Sequence, residues 1–206
     1  MAYPAERKEF NPHFLGKALL FEDFETLDVF GPVEILSRIE KVKLHYISLS
    51  GGIIKSKQGF YTQTESITGI APNSIVVVPG GQGTRSLVSN ELFIKTLRNL
   101  CDRAENVLSI CTGSALLAKS GVLDKRNATS NKKAFDWVRS ISQNVNWIKK
   151  ARWVVDEKYY TSSGVSAGMD MSLGFISDLF GIEKAKQIAF DIEYFWNSNK
   201  ECDVFE

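Results

Sequence analysis

The chain has 206 residues, of which 44% are hydrophobic and 24% charged, and its formal net charge is +1. This length and apolar share predict a single folded domain and exclude disorder of the whole chain. The balanced charge differs from the basic excess of proteins that bind nucleic acids. No apolar stretch reaches the roughly 18 residues that a membrane span needs. We therefore expect neither a nucleic-acid partner nor a membrane partner.

The cysteines and the N-terminal residues predict a cytoplasmic setting. The three cysteines are Cys101, Cys111 and Cys202, and an odd number in this spacing suggests neither a disulfide framework nor a zinc site. Residues 1–11 are polar and charged, which is unlike a signal peptide. We expect residues 1–14 to form a flexible arm and residues 15–206 to form one domain, without a metal site.

Strand patterns alternate with helix patterns along the chain. In chain order the sequence predicts a strand at 17–21, a helix at 28–38, a strand at 43–49, a ribbon over 53–64, a strand at 75–78, a helix at 91–103, a strand at 107–110, a helix at 114–119, a hairpin over 152–162, and helices at 167–180 and 183–195. This alternation predicts an α/β fold with a mostly parallel central sheet flanked by helices. Ligands of such sheets bind beyond the carboxyl ends of the strands.

The stretch LSICTGSA, residues 108–115, is the most informative motif. Its cysteine, Cys111, stands between a predicted central strand and a helix rich in small residues, which predicts a nucleophile elbow. The start of that helix offers free N–H groups and positive potential, and both favour a thiolate. The alternative is a buried structural cysteine. We therefore treat Cys111 as the candidate nucleophile.

Two other segments end at the same predicted edge of the sheet. Gly80 and Gly81 follow the strand at 75–78, where backbone N–H groups can hold developing negative charge together with that of Thr112; the alternative is a plain turn. Asp28 adjoins the apolar start of a helix, so we expect it to be partly buried or to cap that helix. Neither histidine of the chain follows Cys111, so a carboxylate is the expected proton partner of the thiol.

The segments EDFETLDVFGP, VPGGQG and ICTGSALLAKSG together resemble the ThiJ/PfpI superfamily of the glutamine amidotransferase-like fold, and in particular its isonitrile hydratase-like branch. The resemblance spans residues 17–195. It implies a flavodoxin-like α/β sandwich, usually a homodimer. The residues to which it gives catalytic roles are Cys111, Asp28 and Thr112.

The resemblance also implies oxyanion or substrate contacts for Gly80, Gly81 and Asn131. Asn131 stands where many relatives carry histidine. That difference weighs against glyoxalase, deglycase and protease-like activities, which need the histidine.

The activity implied is a cysteine-dependent hydratase of small electrophiles, which converts an isonitrile to an N-substituted formamide without a cofactor. One alternative is a redox or stress sensor built on the same cysteine. Others are a glyoxalase- or deglycase-like member of the superfamily and a regulatory ligand-binding domain, by analogy with AraC-type relatives. The expected partner is a small-molecule substrate.

Overall fold

The computed structural model describes residues 15–40, 42–67 and 74–206. The arm predicted for residues 1–14 lies outside this part of the chain. The elements, in chain order, are β1 (Leu15–Leu19), α1 (Thr26–Leu36), β2 (Lys43–Ser48), β3 (Gly52–Lys55), β4 (Tyr61–Ser66), β5 (Ser74–Val78), α2 (Thr84–Leu87), α3 (Glu91–Arg103), β6 (Asn106–Ser109), α4 (Gly113–Lys119), β7 (Asn127–Ala128), α5 (Phe135–Ile141), β8 (Asn146–Trp147), β9 (Trp153–Asp156), β10 (Tyr159–Ser162), α6 (Ala167–Phe180) and α7 (Ile182–Asp191).

Among the described residues, eight strands form one sheet in the order β3-β4-β2-β1-β5-β6-β10-β9, and β7 and β8 form a separate small sheet. The central pairs β2–β1, β1–β5, β5–β6 and β6–β10 are all parallel. The antiparallel pairs are the β3–β4 hairpin at one edge and the β9–β10 hairpin at the other. The predicted α/β fold with a mostly parallel sheet is therefore confirmed.

Helices cover both faces of this sheet. α1, α6 and α7 pack together as one group, and α2, α3, α4 and α5 form a second. Because both faces are covered, the middle strands β5, β6 and β10 are buried along their whole length. Continuous apolar strands such as β5, with the sequence SIVVV, are typical of this position.

The predicted element bounds hold best where the helices are long. α3 and α6 begin and end at the predicted residues, whereas α1 begins two residues early, at Thr26, and α7 ends at Asp191. Four elements were not predicted, namely α2, α5, β7 and β8. Each of these has one or two turns or a single pair of residues, which is too short for a periodic apolar pattern.

Within the described residues, no helix combines the length and the apolar character needed to cross a membrane.

Candidate active site

Cys111 lies at a sharp turn between β6 and α4. Its φ is +55°, a left-handed conformation that is unfavourable for a residue with a Cβ atom and costs about 1–2 kcal/mol. The predicted nucleophile elbow is therefore present. The side chain is buried, with 7% of its surface exposed.

Hydrogen bonds from neighbouring segments hold this strained backbone in place. The N–H of Cys111 donates to Ser163 O at 3.1 Å. Its carbonyl accepts from Ser130 Oγ at 2.9 Å and from Ser114 Oγ at 3.2 Å. The position of the thiol is thus fixed by the loop after β10 and the loop after β7, as well as by its own helix.

Asp28 is the second titratable group of the site. It is fully buried, and its Oδ2 accepts a hydrogen bond from the N–H of Gly80 at 2.8 Å. The alternative, that Asp28 caps α1, is wrong, because the N-cap residue is Glu25 and Asp28 lies in the first turn, turned toward the glycine loop. Its other oxygen, Oδ1, has no partner at normal hydrogen-bond distance among the described residues. The Cys111 thiol lies close enough to this carboxylate to lower the pKa of Asp28.

Gly80 fits tightly between the carboxylate and the elbow. A Cβ atom here would lie 2.5 Å from Thr112 N and 2.9 Å from the Cβ of Cys111. The Gly80 carbonyl accepts from the N–H of Glu25 at 2.9 Å. Only a residue without a side chain allows Asp28 and Cys111 to approach from the two sides of this loop.

The Thr112 side chain joins the glycine loop to the elbow. Its Oγ1 accepts a hydrogen bond from the N–H of Gly81 at 3.1 Å and lies 3.1 Å from Thr84 Oγ1. The Thr84 hydroxyl also donates to Gly81 O at 2.7 Å. The N–H groups of Gly80 and Gly81, predicted as oxyanion donors, are therefore both engaged, with Asp28 and with Thr112.

Val165 is a site residue that the sequence reasoning did not assign to the elbow. Its φ is +31°, and its backbone N–H donates a hydrogen bond to the Cys111 sulfur. The preceding residue, Gly164, lies so close to Asn131 Nδ2 that no Cβ would fit. The Asn131 carbonyl oxygen in turn accepts from the N–H of Ala134 at 3.0 Å. Neither Val165 nor Thr84 carried a local sequence signal, because each acts through long-range contacts.

The electrostatics of the pair differ from the low-pKa thiolate that was expected. Burial raises the pKa of the Cys111 thiol, and the Asp28 carboxylate raises it further. Hydrogen bonds from the backbone N–H groups of Thr112 and Val165 and from the Thr112 hydroxyl lower this pKa, but burial outweighs them. Burial likewise raises the pKa of Asp28 to about 7, against the N–H of Gly80, which lowers it. Near neutral pH the thiol keeps its proton, and the carboxylate is about half protonated.

A cavity of about 420 Å³ lies on the segment 163–166, which also contacts Cys111, although Cys111 and Asp28 are not among its lining residues. Its wall includes the segment 163–166, which supplies the Ser163 carbonyl and the Val165 N–H that bind Cys111. The lining residues are Asn131, Lys132, Lys133, Ser163, Gly164, Val165, Ser166 and Phe205. In the part of the chain that the structure describes, no group of three or more His, Cys, Asp or Glu side chains could hold a metal ion.

The structure thus brings all the predicted site residues to one end of the sheet. Cys111, Thr112, Asp28, Gly80 and Gly81 form one hydrogen-bonded unit. Asn131 is joined to it less directly, through Gly164 and the cavity wall.

Comparison with known proteins agrees with this architecture. The model of the DJ-1/PfpI family matches residues 18–178. The chain belongs to the DJ-1/PfpI family. This finding confirms the resemblance to the ThiJ/PfpI superfamily that the sequence motifs indicated.

Two curated DJ-1/PfpI relatives and one solved structure illustrate the similarity. The chain is 28% identical over 177 residues to the isonitrile hydratase of Pseudomonas putida. The aligned region covers 85% of this chain and 76% of that protein. It is 27% identical over 147 residues to Deglycase PH1704 of Pyrococcus horikoshii, covering 70% of this chain and 86% of the relative. A ThiJ/PfpI family protein from Pseudomonas syringae superposes with a TM-score of 0.79 at 23% identity, over 90% of this chain and 76% of the other.

Proposed function

We propose that the protein is a cysteine-dependent hydratase of small electrophiles and that it converts an isonitrile to an N-substituted formamide. The observation that carries this proposal is the buried pair of Cys111 and Asp28, a nucleophile beside a carboxyl group whose pKa is raised to about 7. The similarity to an isonitrile hydratase supports the choice of substrate.

In the first step the thiol adds across the isonitrile carbon. The Cys111 sulfur forms the new S–C bond while the thiol proton passes to Asp28, and the carboxyl group delivers a proton to the same carbon. The product is a thioimidate, R–N=CH–S–Cys, and Asp28 ends in the protonation state in which it began. A carboxyl group with a pKa near 7 suits this exchange, because it gives and accepts protons equally well near neutral pH.

In the second step water hydrolyses the thioimidate. Asp28 takes a proton from the attacking water as the C–O bond forms and passes that proton to the imine nitrogen. Collapse of the tetrahedral intermediate then breaks the C–S bond, and Cys111 recovers its proton. The sum is R–NC plus water giving R–NH–CHO, so water is the sole co-reactant.

The raised pKa of the thiol favours this function over a redox sensor. Oxidation of cysteine proceeds through the thiolate, and an exposed, low-pKa thiol is typical of sensors. Cys111 is 93% buried by surface and keeps its proton near neutral pH. In the proposed mechanism Asp28 accepts the thiol proton only as the sulfur attacks the bound electrophile. A thiol that is protonated at rest therefore suits an enzyme better than a redox sensor.

The first test is the production of formamide from a simple alkyl isonitrile by purified protein. We expect turnover by the wild type, none above the uncatalysed rate for Cys111→Ala, and a loss of about 10²–10⁴-fold for Asp28→Asn. Cys202→Ser is the matched control, since Cys202 is an exposed cysteine and should leave the rate unchanged. A folded wild type that makes no formamide would contradict the proposal, and lactate production from methylglyoxal would then favour the glyoxalase-like alternative.

We further propose that the protein works in the cytoplasm as a homodimer on a small-molecule substrate. The described cysteines are all free, as a reducing compartment requires. An exposed apolar patch on α1 and the β3–β4 hairpin supports self-association.

A further inference from the structure

The cavity beside Cys111 has cationic and hydrogen-bonding groups in its wall. Lys132 and Lys133 both line it, together with Asn131, while Val165 and Phe205 supply apolar surface. No carboxylate side chain is among the lining residues.

The Lys132 side chain is held in this wall by hydrogen bonds, unlike that of a free surface lysine. Its Nζ donates to Thr129 Oγ1 at 3.0 Å and to Ala151 O at 2.6 Å. Both acceptors are neutral, and burial lowers the pKa of the ammonium group, while Asp203 and Glu206 raise it from longer range. Two of the three ammonium hydrogens are thus used, and the third is left for a ligand.

Lys133 and Asn131 add further donors. Lys133 is exposed and takes part in none of the ion pairs formed by the described residues. Asn131 uses its carbonyl oxygen on the N–H of Ala134, and its Nδ2 donates to no acceptor within the described chain. This side of the cavity therefore offers two ammonium groups, and within the described residues the Lys133 ammonium forms no ion pair and Asn131 Nδ2 has no acceptor.

We propose that this cavity binds an anionic group, most simply a carboxylate, carried on the organic substituent of the electrophile. This inference rests on the proposed function in one respect, the identity of the carbon that reacts with Cys111. The binding of an anion in the cavity does not depend on that function. The substrate would place its reactive carbon at Cys111, its apolar link against Val165 and Phe205, and its carboxylate toward Lys132 and Lys133.

The first experiment compares isocyanoacetate with its neutral methyl ester as substrates. In Lys133→Gln we expect kcat/KM for isocyanoacetate, relative to the ester, to fall about threefold or more, the size of one unit charge acting through water over several ångström. Lys133→Glu should enlarge the loss. Lys95→Gln, an exposed lysine on α3 outside the cavity lining, is the matched control and should leave the ratio unchanged.

The second experiment does not need isonitrile chemistry. Iodoacetate and iodoacetamide alkylate the Cys111 sulfur, forming an S–C bond with loss of iodide and of the thiol proton, and differ in the charge of the group delivered. In a Cys202→Ser background, mass analysis of the peptide with Cys111 gives the two rates. We expect the rate of alkylation by iodoacetate, divided by the rate of alkylation by iodoacetamide, to fall about threefold or more in Lys133→Gln.

The outcomes separate the two proposals. If no isonitrile is hydrated but the alkylation ratio still depends on Lys133, the proposed function fails and the anion site stands. If the methyl ester is hydrated and neither ratio responds to Lys133→Gln or Lys133→Glu, the anion site is refuted and the hydratase stands.

Discussion

Asp28 is the residue on which the proposed chemistry of this site depends most. It is fully buried, accepts one N–H from Gly80, and lies beside the Cys111 thiol. Burial disfavours its charged form, which is why its pKa is raised to about 7. A raised pKa of this kind has consequences both for stability and for activity.

We predict that the wild type loses stability relative to Asp28→Asn as the pH rises. In the unfolded chain Asp28 releases its proton near its ordinary pKa, whereas in the fold it holds the proton until about pH 7. The stabilisation from this group is therefore greatest at low pH and falls by roughly 2–3 kcal/mol between about pH 5 and pH 8. Urea unfolding of the wild type and of Asp28→Asn at several pH values in this range measures the change in the free energy of unfolding.

Asp124→Asn, an exposed aspartate outside the site, is the control and should follow the wild type. A constant difference between the wild type and Asp28→Asn at every pH would show that the carboxyl group titrates at its ordinary pKa. The pH profile of kcat/KM offers a second check, since an inflection near pH 7 should be present in the wild type.

At the scale of the elements, the site depends on how closely α4 approaches the strands. Gly113 is the first residue of α4, and a Cβ there would meet Val78 O closer than real contacts allow and Pro79 O at 2.8 Å. The helix can therefore start directly behind Cys111 only because position 113 has no side chain.

We predict that Gly113→Ala shifts α4 and disturbs the elbow. The expected result is a loss of about 1–3 kcal/mol in the free energy of unfolding, typical of overpacking, together with reduced formamide production. Urea denaturation and the activity assay measure the two effects. Gly52→Ala is the comparison, because nothing lies within 4 Å of its added Cβ, so it should keep full activity despite a positive φ of 92°. Unchanged stability and turnover in Gly113→Ala would mean that this close approach is not needed.

The loop after β10 is a second element that the site needs. It carries Val165, whose strained backbone N–H reaches the Cys111 sulfur, and it begins at Ser163, whose carbonyl binds the N–H of Cys111. The C-terminal segment supports the same region through a buried ion pair cluster. In it Arg152 binds Asp170 and lies 3.6 Å from Asp203. The far end of the chain is thereby held against α6, and Phe205 reaches the cavity wall.

At the scale of the whole molecule, an exposed apolar patch is the surface on which we predict self-association. Leu27 and Phe30 on α1 are 40% and 37% exposed, and Phe60 and Tyr61 of the β3–β4 hairpin are 55% and 69% exposed. The rings of Phe30 and Phe60 are in edge contact at 5.7 Å, so the two elements form one surface. Exposed apolar surfaces of this kind typically mark protein interfaces.

We predict a homodimer formed through this patch. Size-exclusion chromatography with light scattering should give the mass of a dimer for the wild type and of a monomer for Phe60→Glu, because a buried carboxylate at the interface is not compensated. Phe195→Glu, at a residue that is 93% exposed and outside the patch, should remain a dimer. A monomeric wild type, or dissociation only by Phe195→Glu, would contradict the assignment. Since α1 also carries Asp28, self-association on this face would restrain the helix that positions the carboxylate.

The sequence by itself determined the fold class and the position of the turn that carries Cys111. The apolar strands β5 and β6, the small residues after Cys111 and the paired glycines after β5 are local patterns, and local patterns follow from backbone sterics and from burial on a covered sheet. The long helices α3 and α6 were likewise predicted to their end residues, because each has enough turns for an apolar period to appear.

Only the tertiary structure decided the ionisation of the pair and the complete set of groups around the thiol. Asp28 and Gly80 are 52 residues apart in the chain, and Val165 reaches Cys111 from the loop after β10, the strand that pairs with β6. The expectation of a thiolate failed because the local sequence shows the helix N–H groups that lower the pKa of the thiol. It does not show the burial that raises this pKa. A pKa depends on which distant segments exclude water from a group, and that is known only when the chain has folded around it.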